Sequence, residues 1–564
     1  MGMPDAIVMA VYFAAMIGVG LRYARSMRSP TDYFAGGKQV PWWLGGVSLA
    51  MSYVSAFSIV VYAGMGYEFG LVALTLYWAS VPAILLTTWL FARRWRRAGV
   101  ITPMGFLEKR FSGAIQQLFA WSGIPLTIVD ESLKVVAIAT FVSGATQIPV
   151  WAAMCTIGLT IVAYAALGGL WAVVVTDLIQ FVLVTVIVIL LAPLSWQAAG
   201  GWNALHASLP RDMFLLVREP FGWPYVVAFF LLIAVSMSGN WSLIQKFYSV
   251  QSDRDARKVG WLAGAFFFLL PPFWILTGMM ARGFIAPNGI DPQSIYSRVG
   301  SALLPPGMLG LAMAALLAAT MSVLSSGYNV ISAVLTMDVY KNRFRPQASR
   351  REVIVVGRAL TIAVGTVVLM LSLLVAYLHW AMYRTMVVAF SVLLPPTVLP
   401  MLAGLLSRRL SASGALAGYM TGLGMGFALL VVRWRLQPPP YGLFDALSLT
   451  LPIVATALTL LAAGKLSPEK GASAATTGEF LDALDRPAPA ERQAATSPIV
   501  IAGSIIAFMG LTLAGIGAGL FARAAKSMIT VHVALAFLLI GLVMVLVPKR
   551  SSGVAYQGRE SGVV

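Results

Sequence analysis

Three serines stand at i, i+3 and i+4 in the apolar stretch LAMAALLAATMSVLSSGYNVISAVLTMDVYK: Ser322, Ser325 and Ser326. In a helix that spacing puts three hydroxyls on one face. A hard, small cation such as sodium takes oxygen ligands, and hydroxyls with backbone carbonyls supply them without a buried acid. The other use of such serines is back-bonding to their own helix carbonyls. Asp177 lies in YAALGGLWAVVVTDLIQ, either as a buried carboxylate or as a helix-end group near an interface. Asp130, Glu131 and Lys134 sit in LTIVDESLKVVAIA, where Lys134 follows the acids by four and three and pairs with both on one helical face. The alternative is that one of these carboxylates faces a water-filled cavity and binds a solute. Each such group costs about 2.5–3.5 kcal/mol at the centre of a bilayer, so each is a functional candidate. Arg384 stands near the end of its apolar stretch and is expected to snorkel to the interface. In PWWLGGVSLAMSYVSAFSIVVYAGMG, Gly45, Gly46, Ser48, Ser52, Ser55 and Ser58 fall within fourteen residues. Such a helix is either interrupted where it lines a cavity or presents small residues for close packing.

The elements that position these residues are transmembrane helices. The chain has 564 residues, 59% hydrophobic and 11% charged, with a mean hydropathy of +0.84. Soluble proteins carry about 25% charged residues, so a soluble globule is excluded. One cysteine, Cys155, and three histidines leave no material for a disulfide or a zinc site. With roughly 20 apolar residues needed per crossing, the sequence predicts an all-α polytopic fold of about fifteen spans: 4–21, 41–66, 70–92, 115–145, 148–168, 170–196, 223–246, 258–282, 303–341, 352–378, 380–407, 412–433, 445–464, 498–521 and 529–548. With the N-terminus outside and the C-terminus in the cytoplasm, 28 Lys and Arg fall on the cytoplasmic side and eight on the other. That bias follows the positive-inside rule. It accounts for most of the formal charge of +18 without a nucleic-acid partner. The expected setting is therefore the plasma, or inner, membrane. MGMPDAIVMA has no basic n-region, so the first span is expected to be retained. Residues 466–497, rich in Ala, Pro and Thr, read as a flexible cytoplasmic linker, followed by two further spans at 498–548 and a tail at 549–564. No phosphate-binding loop, signalling domain or obligate protein partner is expected.

Four ordered segments resemble the sodium/solute symporter family: DYFAGGKQVPWWLGGVSLAMSYVSA, YAALGGLWAVVVTDLIQ, LIQKFYSVQSDRDARK and TMDVYK. The resemblance covers residues 1–465, the expected transport domain. It implies a leucine-transporter-like fold of two inverted five-helix repeats, here 41–196 and 223–407, with one leading helix and about four trailing ones. It also implies sodium as the coupling ion and a site at the midplane where broken helices meet.

The same resemblance implies a principal sodium site from the backbone carbonyls of Met51, Val54 and Ala319 and the hydroxyl of Ser322. A second hydroxyl position is occupied by Val323, a departure that removes one oxygen ligand. It implies a second site from Ser322, Ser325, Ser326 and Asp177. Positions that contact sugar in sugar-carrying members fall on Ser58, Tyr77, Ser80 and Asp130, with Tyr53 and Phe57 adding aromatic surface. A lysine of those members falls on Phe268, and the aromatic gate position on Ser236. The expected solute is a small organic molecule other than a typical hexose: an amino acid, zwitterion, carboxylate or sugar-like compound, with Asp130 available to an ammonium group. Alternating access would couple its movement to sodium. A proton-coupled or uncoupled transporter on the same fold and a transport-inactive solute sensor are the alternatives. A membrane enzyme is disfavoured, because no nucleophile, base and orienting group stand in a recognisable arrangement.

Overall fold

The computed structural model describes residues 2–24, 40–100, 102–285, 290–305, 307–466, 471–486 and 527–546, with isolated positions between 504 and 514. The tail at 549–564 lies outside the described residues, as does the expected span 498–521 apart from those positions. The described chain is helical. Eight helices are long and apolar enough to cross a bilayer, or ten when each of two bent pairs is one crossing. That is fewer than the fifteen expected stretches. One reason is that Gly113–Thr146 carries three charges at mid-length. Another is that Met3–Met16 and Val150–Ala165 are shorter apolar runs.

We name the elements that matter below. Helix α1 spans Met3–Ala24. Helices α2, Trp42–Met51, and α3, Ala56–Phe69, form one crossing bent by 55°. Helix α4 is Ser80–Arg97, α5 Pro103–Arg110 and α6 Gly113–Thr146. Helix α7 runs Val150–Ala198. Helices α8, Trp223–Gly239, and α9, Trp241–Tyr248, form a second crossing bent by 49°. Then come α10, Asp253–Leu269, and α11, Pro271–Ala281. Helix α12, Met308–Ala333, continues as eleven residues of π-helix to Phe344. Helix α13 is Arg350–Tyr377, α14 Met382–Leu406, α15 Ala412–Leu436, α16 Leu443–Leu466, α17 Gly471–Asp485 and α18 Ser527–Leu546.

Helical backbone runs through all 49 residues of α7, yet the chain reverses within it. The Tyr164 hydroxyl lies 2.7 Å from Thr176 Oγ1. Twelve residues of straight helix advance about 18 Å, farther than a tyrosine and a threonine side chain together reach. The two apolar segments on either side, 148–168 and 170–196 in the sequence reading, are therefore two passes joined by a tight hairpin.

Both bent crossings break where the sequence competes with helical hydrogen bonding. At the first, Ser52 Oγ donates to Ser48 O (2.8 Å), Ser58 Oγ accepts from Ser55 N (2.9 Å), and Ser55 is extended at φ −136°, ψ 176°. Short polar side chains bond their own backbone in this way and stop helices. At the second, Asn240 is extended and its side chain caps α9 by accepting from Leu243 N (3.1 Å).

Helix α12 is the core of the molecule, with only Leu309 of its 26 residues not buried. It packs against α1, α6, α7 and α13. Helices α3 and α11 meet backbone to backbone: a Cβ on Gly66 would lie 2.3 Å from Ile275 O, and one on Gly278 1.9 Å from Ala63 O. On the face that carries the basic chain ends, Arg110 donates to the carbonyls of Gly404 (3.1 Å), Ser407 (2.9 Å) and Leu410 (2.7 Å). Residues 471–485, within the expected linker, form α17 and dock there. Arg97 donates to Leu484 O (2.9 Å) and Arg408 pairs with Asp482 (2.6 Å). Composition hid this helix, because its buried contacts rest on few apolar residues, Leu481 and Leu484 among them.

Candidate ion and solute site

The break between α2 and α3 is fastened to α12. Ala56 N donates to Thr320 Oγ1 (3.0 Å), whose own proton goes to Leu316 O (2.9 Å). The other amides of the break are also satisfied: Tyr53 N and Val54 N both reach Ala50 O at 3.1 Å. The carbonyls of Met51 and Val54, by contrast, accept no hydrogen bond from any described residue. Buried carbonyls are ordinarily paired, so two unclaimed oxygens at a helix break are free to hold a cation.

Asp177 is buried completely and binds both sides of this junction. Its two carboxylate oxygens accept short hydrogen bonds, one from the Ser48 hydroxyl on α2 and one from the Ser322 hydroxyl on α12. Ser325 Oγ donates to Ser322 O (3.1 Å) and Ser326 Oγ is buried without a partner. The structure thus joins Asp177 and Ser322 directly and places Ser325 and Ser326 on the same helix within one turn. Val323 is buried, one turn on from Thr320, and so lies on the side of α12 that holds the break. Two residues of this junction escaped the sequence reading. Ser48 registered there only as a small residue. Lys246 was counted among the cytoplasmic basic residues, but its side chain is fully buried and acts on Asp177 more strongly than any other charged group.

Next to the break is a cavity of about 670 Å³. Tyr53, Phe57, Ser58, Tyr77, Ser80 and Asp130 all line it. Ser52, Lys134, Phe229, Asn240, Met386 and Phe390 line it too and were not anticipated as site residues, and Ser236 stands there as well. The local ion pair holds: Lys134 Nζ lies 2.8 Å from Asp130 and 3.2 Å from Glu131. Yet Asp130 also faces the cavity, so the two readings of that residue are compatible. Phe268 is half exposed and stacks on Trp78, away from the cavity.

Asp130, Ser236, Asn240 and Phe390 also line a second cavity of about 640 Å³, which continues past Trp241 to Met104 and Phe119. These four form the partition between the two spaces. Beyond the first cavity on the other side lies an aromatic layer. Tyr62 meets Tyr383 at 6.1 Å between ring centroids, and Tyr383 meets Tyr441 at 5.8 Å. Tyr441, in the loop before α16, donates its backbone N–H to Asp445 (2.6 Å), which also pairs with Arg433. Burial and the Glu68 carboxylate push the Tyr441 phenol above the usual tyrosine range, against the pull of Arg384.

A broken helix fastened to a buried serine helix, with a polar cavity beside it, is the arrangement of a transporter. The family model described as "Sodium:solute symporter family" matches residues 33–422. The chain belongs to that family. Its relatives include sodium/glucose cotransporter 4 of Homo sapiens, 28% identical over 493 residues, covering 78% of this chain and 71% of the relative. Sodium/myo-inositol cotransporter 2 of Sus scrofa is also 28% identical over 493 residues, covering 77% and 71%. Among solved structures, a Na+-coupled sialic acid symporter in its substrate-bound outward-open state superposes with a TM-score of 0.72 at 19% identity, over 83% of this chain and 99% of that one. The symporter is thus a membrane transporter rather than an enzyme, and sodium is the coupling ion of its relatives.

Proposed function

We propose that this symporter couples inward sodium movement to uptake of a small organic solute by alternating access. The supporting observation is the pair of unclaimed carbonyls, Met51 and Val54, at a break fastened to the helix that carries Ala319 and Ser322. Sodium is the cargo that these oxygens fit. Asp177 supplies the nearest negative charge through its bond with Ser322, and with Ser325 and Ser326 it forms the second candidate oxygen set. A membrane potential contributes about 2.3 kcal/mol per charge per 100 mV to sodium entry. Residues 41–196 and 223–407 act as the two inverted repeats, and the bent crossings stand at the start of each. The N-terminus is outside and the C-terminus is in the cytoplasm of the plasma, or inner, membrane, as the distribution of Lys and Arg supports.

The solute binds in the cavity between the aromatic layer and the Phe390 partition. Its wall offers Ser58, Tyr77 and Ser80 to hydroxyls, and the Asp130–Lys134 pair to a zwitterion, Asp130 facing the ammonium and Lys134 the carboxylate. Tyr53 and Phe57 pack against its carbon skeleton. Closure of the aromatic layer followed by opening past Phe390 would carry solute and ion inward together.

The test is a sodium titration of intrinsic tryptophan fluorescence on the purified chain, against choline at constant ionic strength, then repeated with Asp177→Ala and Ser322→Ala. A saturable response to sodium alone, weakened in both variants, supports the reading and sets the conditions for screening solutes in proteoliposomes. Equal responses to sodium and choline, with a pH response that Asp130→Asn removes, would replace it with proton coupling.

A further inference from the structure

Lys246 is a buried cation to which the transport cycle described above gives no role. It sits on α9, the second half of a broken crossing, and α9 packs against both α2 and α12, the two helices that Asp177 joins. The end of α9 is pinned to the start of α2, where Val40 N donates to Ser249 O (3.0 Å). The Lys246 side chain is fully buried, and its Nζ has no hydrogen-bond partner among the described residues. Asp177 is the charged group that acts on it. An ammonium removed from water is retained only where an opposite charge or its equivalent compensates the loss of hydration. Here that compensation is one carboxylate, shared with two serine hydroxyls and not in direct ion-pair contact.

The two candidate sodium sites have different charge requirements. The principal set, Met51, Val54, Ala319 and Ser322, is neutral and sits beside the carboxylate. The second set depends on Asp177 as its one charged member, with Ser322, Ser325 and Ser326 contributing neutral hydroxyls. One carboxylate facing one fixed ammonium is already balanced. A like charge roughly 6 Å away in a medium of effective dielectric about 20 weakens a second cation about 100-fold.

We propose that Lys246 stands in for a second sodium ion: its tethered ammonium is the counter-charge of Asp177, so the chain binds one sodium, at the break, and not two. The inference rests on the sodium reading above and adds a stoichiometry to it. The serine face of α12 then serves to orient Asp177, and the second oxygen set becomes an ion site only when the lysine charge is removed.

Equilibrium binding of radioactive sodium-22 to the purified full-length chain in detergent, counted per chain at saturation, tests this. The wild type is expected to bind one sodium and Lys246→Met two. Lys246→Arg keeps the charge and is expected to bind one, and Lys246→Met with Asp177→Asn falls back to one. Two sodium ions on the wild type would overturn the proposal and leave sodium coupling intact. One on Lys246→Met, with the same gel-filtration profile as the wild type, would do the same. No saturable sodium on the wild type would instead overturn the sodium reading itself. Should Lys246→Met not purify as a single species, Lys246→Gln supplies the neutral variant, and the wild-type count decides independently of either.

Discussion

Val323→Ser restores the hydroxyl that the principal ion site lacks, and the structure sets the size of the effect. Val323 is buried and follows Thr320 by one turn, on the side of α12 that grips the break. A serine there first back-bonds to the carbonyl of Ala319, four residues earlier, and must give up that bond to face an ion. The neutral bond is worth about 0.5–1.5 kcal/mol and an interaction with a full charge about 1.5–3 kcal/mol. The net gain is about 1.4 kcal/mol, a tenfold tighter sodium affinity. Stability without sodium moves the other way, because a buried valine loses apolar atoms worth about 0.8 kcal/mol each. The two effects separate in a thermal-unfolding assay run in choline and in sodium. If sodium stands at about 100 times the wild-type Kd it stabilises by about 2.7 kcal/mol, and a tenfold tighter site raises that to about 4.1 kcal/mol. The variant should melt lower than the wild type in choline, yet gain more on sodium addition. A variant with a lowered melting point and an unchanged or smaller sodium increment would refute the placement of the ion against Val323.

Thr320→Val removes the acceptor for Ala56 N, leaving a buried amide unpaired at a cost of about 1–3 kcal/mol; the melting point in choline should fall and the fluorescence response to sodium should weaken with it. Gly278→Ala drives a methyl into Ala63 O, where no side chain can yield, and is expected to prevent recovery of a monodisperse protein. Gly424→Ala, with open space around it, should behave as wild type on the same gel-filtration column and so serves as the control. Arg110→Lys keeps the charge but loses the guanidinium fork that gathers three carbonyls from 404–410; unfolding should become easier by about 2 kcal/mol, read as a lower melting point at constant salt.

The serine face of α12 was legible because hydroxyl spacing on a helix maps directly onto one side. The interruption of the first crossing was legible because several serines near glycines compete with helical bonding over a short stretch. Lys246 was not, because hydropathy counts a charge near the end of an apolar run as a loop residue. Its burial follows from the bend at Asn240, a tertiary fact, which turns α9 back under α2 and α12. Ser48 was visible only as a small residue, since a single serine carries no sign of which carboxylate will reach it across 129 positions. Nor did residues 471–485 announce their helix, because its anchors are arginines supplied by α4 and by the loop after α14.

The glycine contacts between α3 and α11 bear on how force passes through the molecule. Two helices touching through backbone at Gly66 and Gly278 have no intervening side chains to repack, so one cannot slide or roll against the other without separating altogether. They behave as a single rigid lever. Its inner end is the break that offers Met51 and Val54, and its flank carries Phe57, Ser58 and Tyr62 of the cavity wall. A cation that draws the break toward α12 therefore tilts the cavity wall in the same stroke. In this geometry the exchange between ion and solute is mechanical gearing through one stiff piece, with no need for a relay of intervening residues.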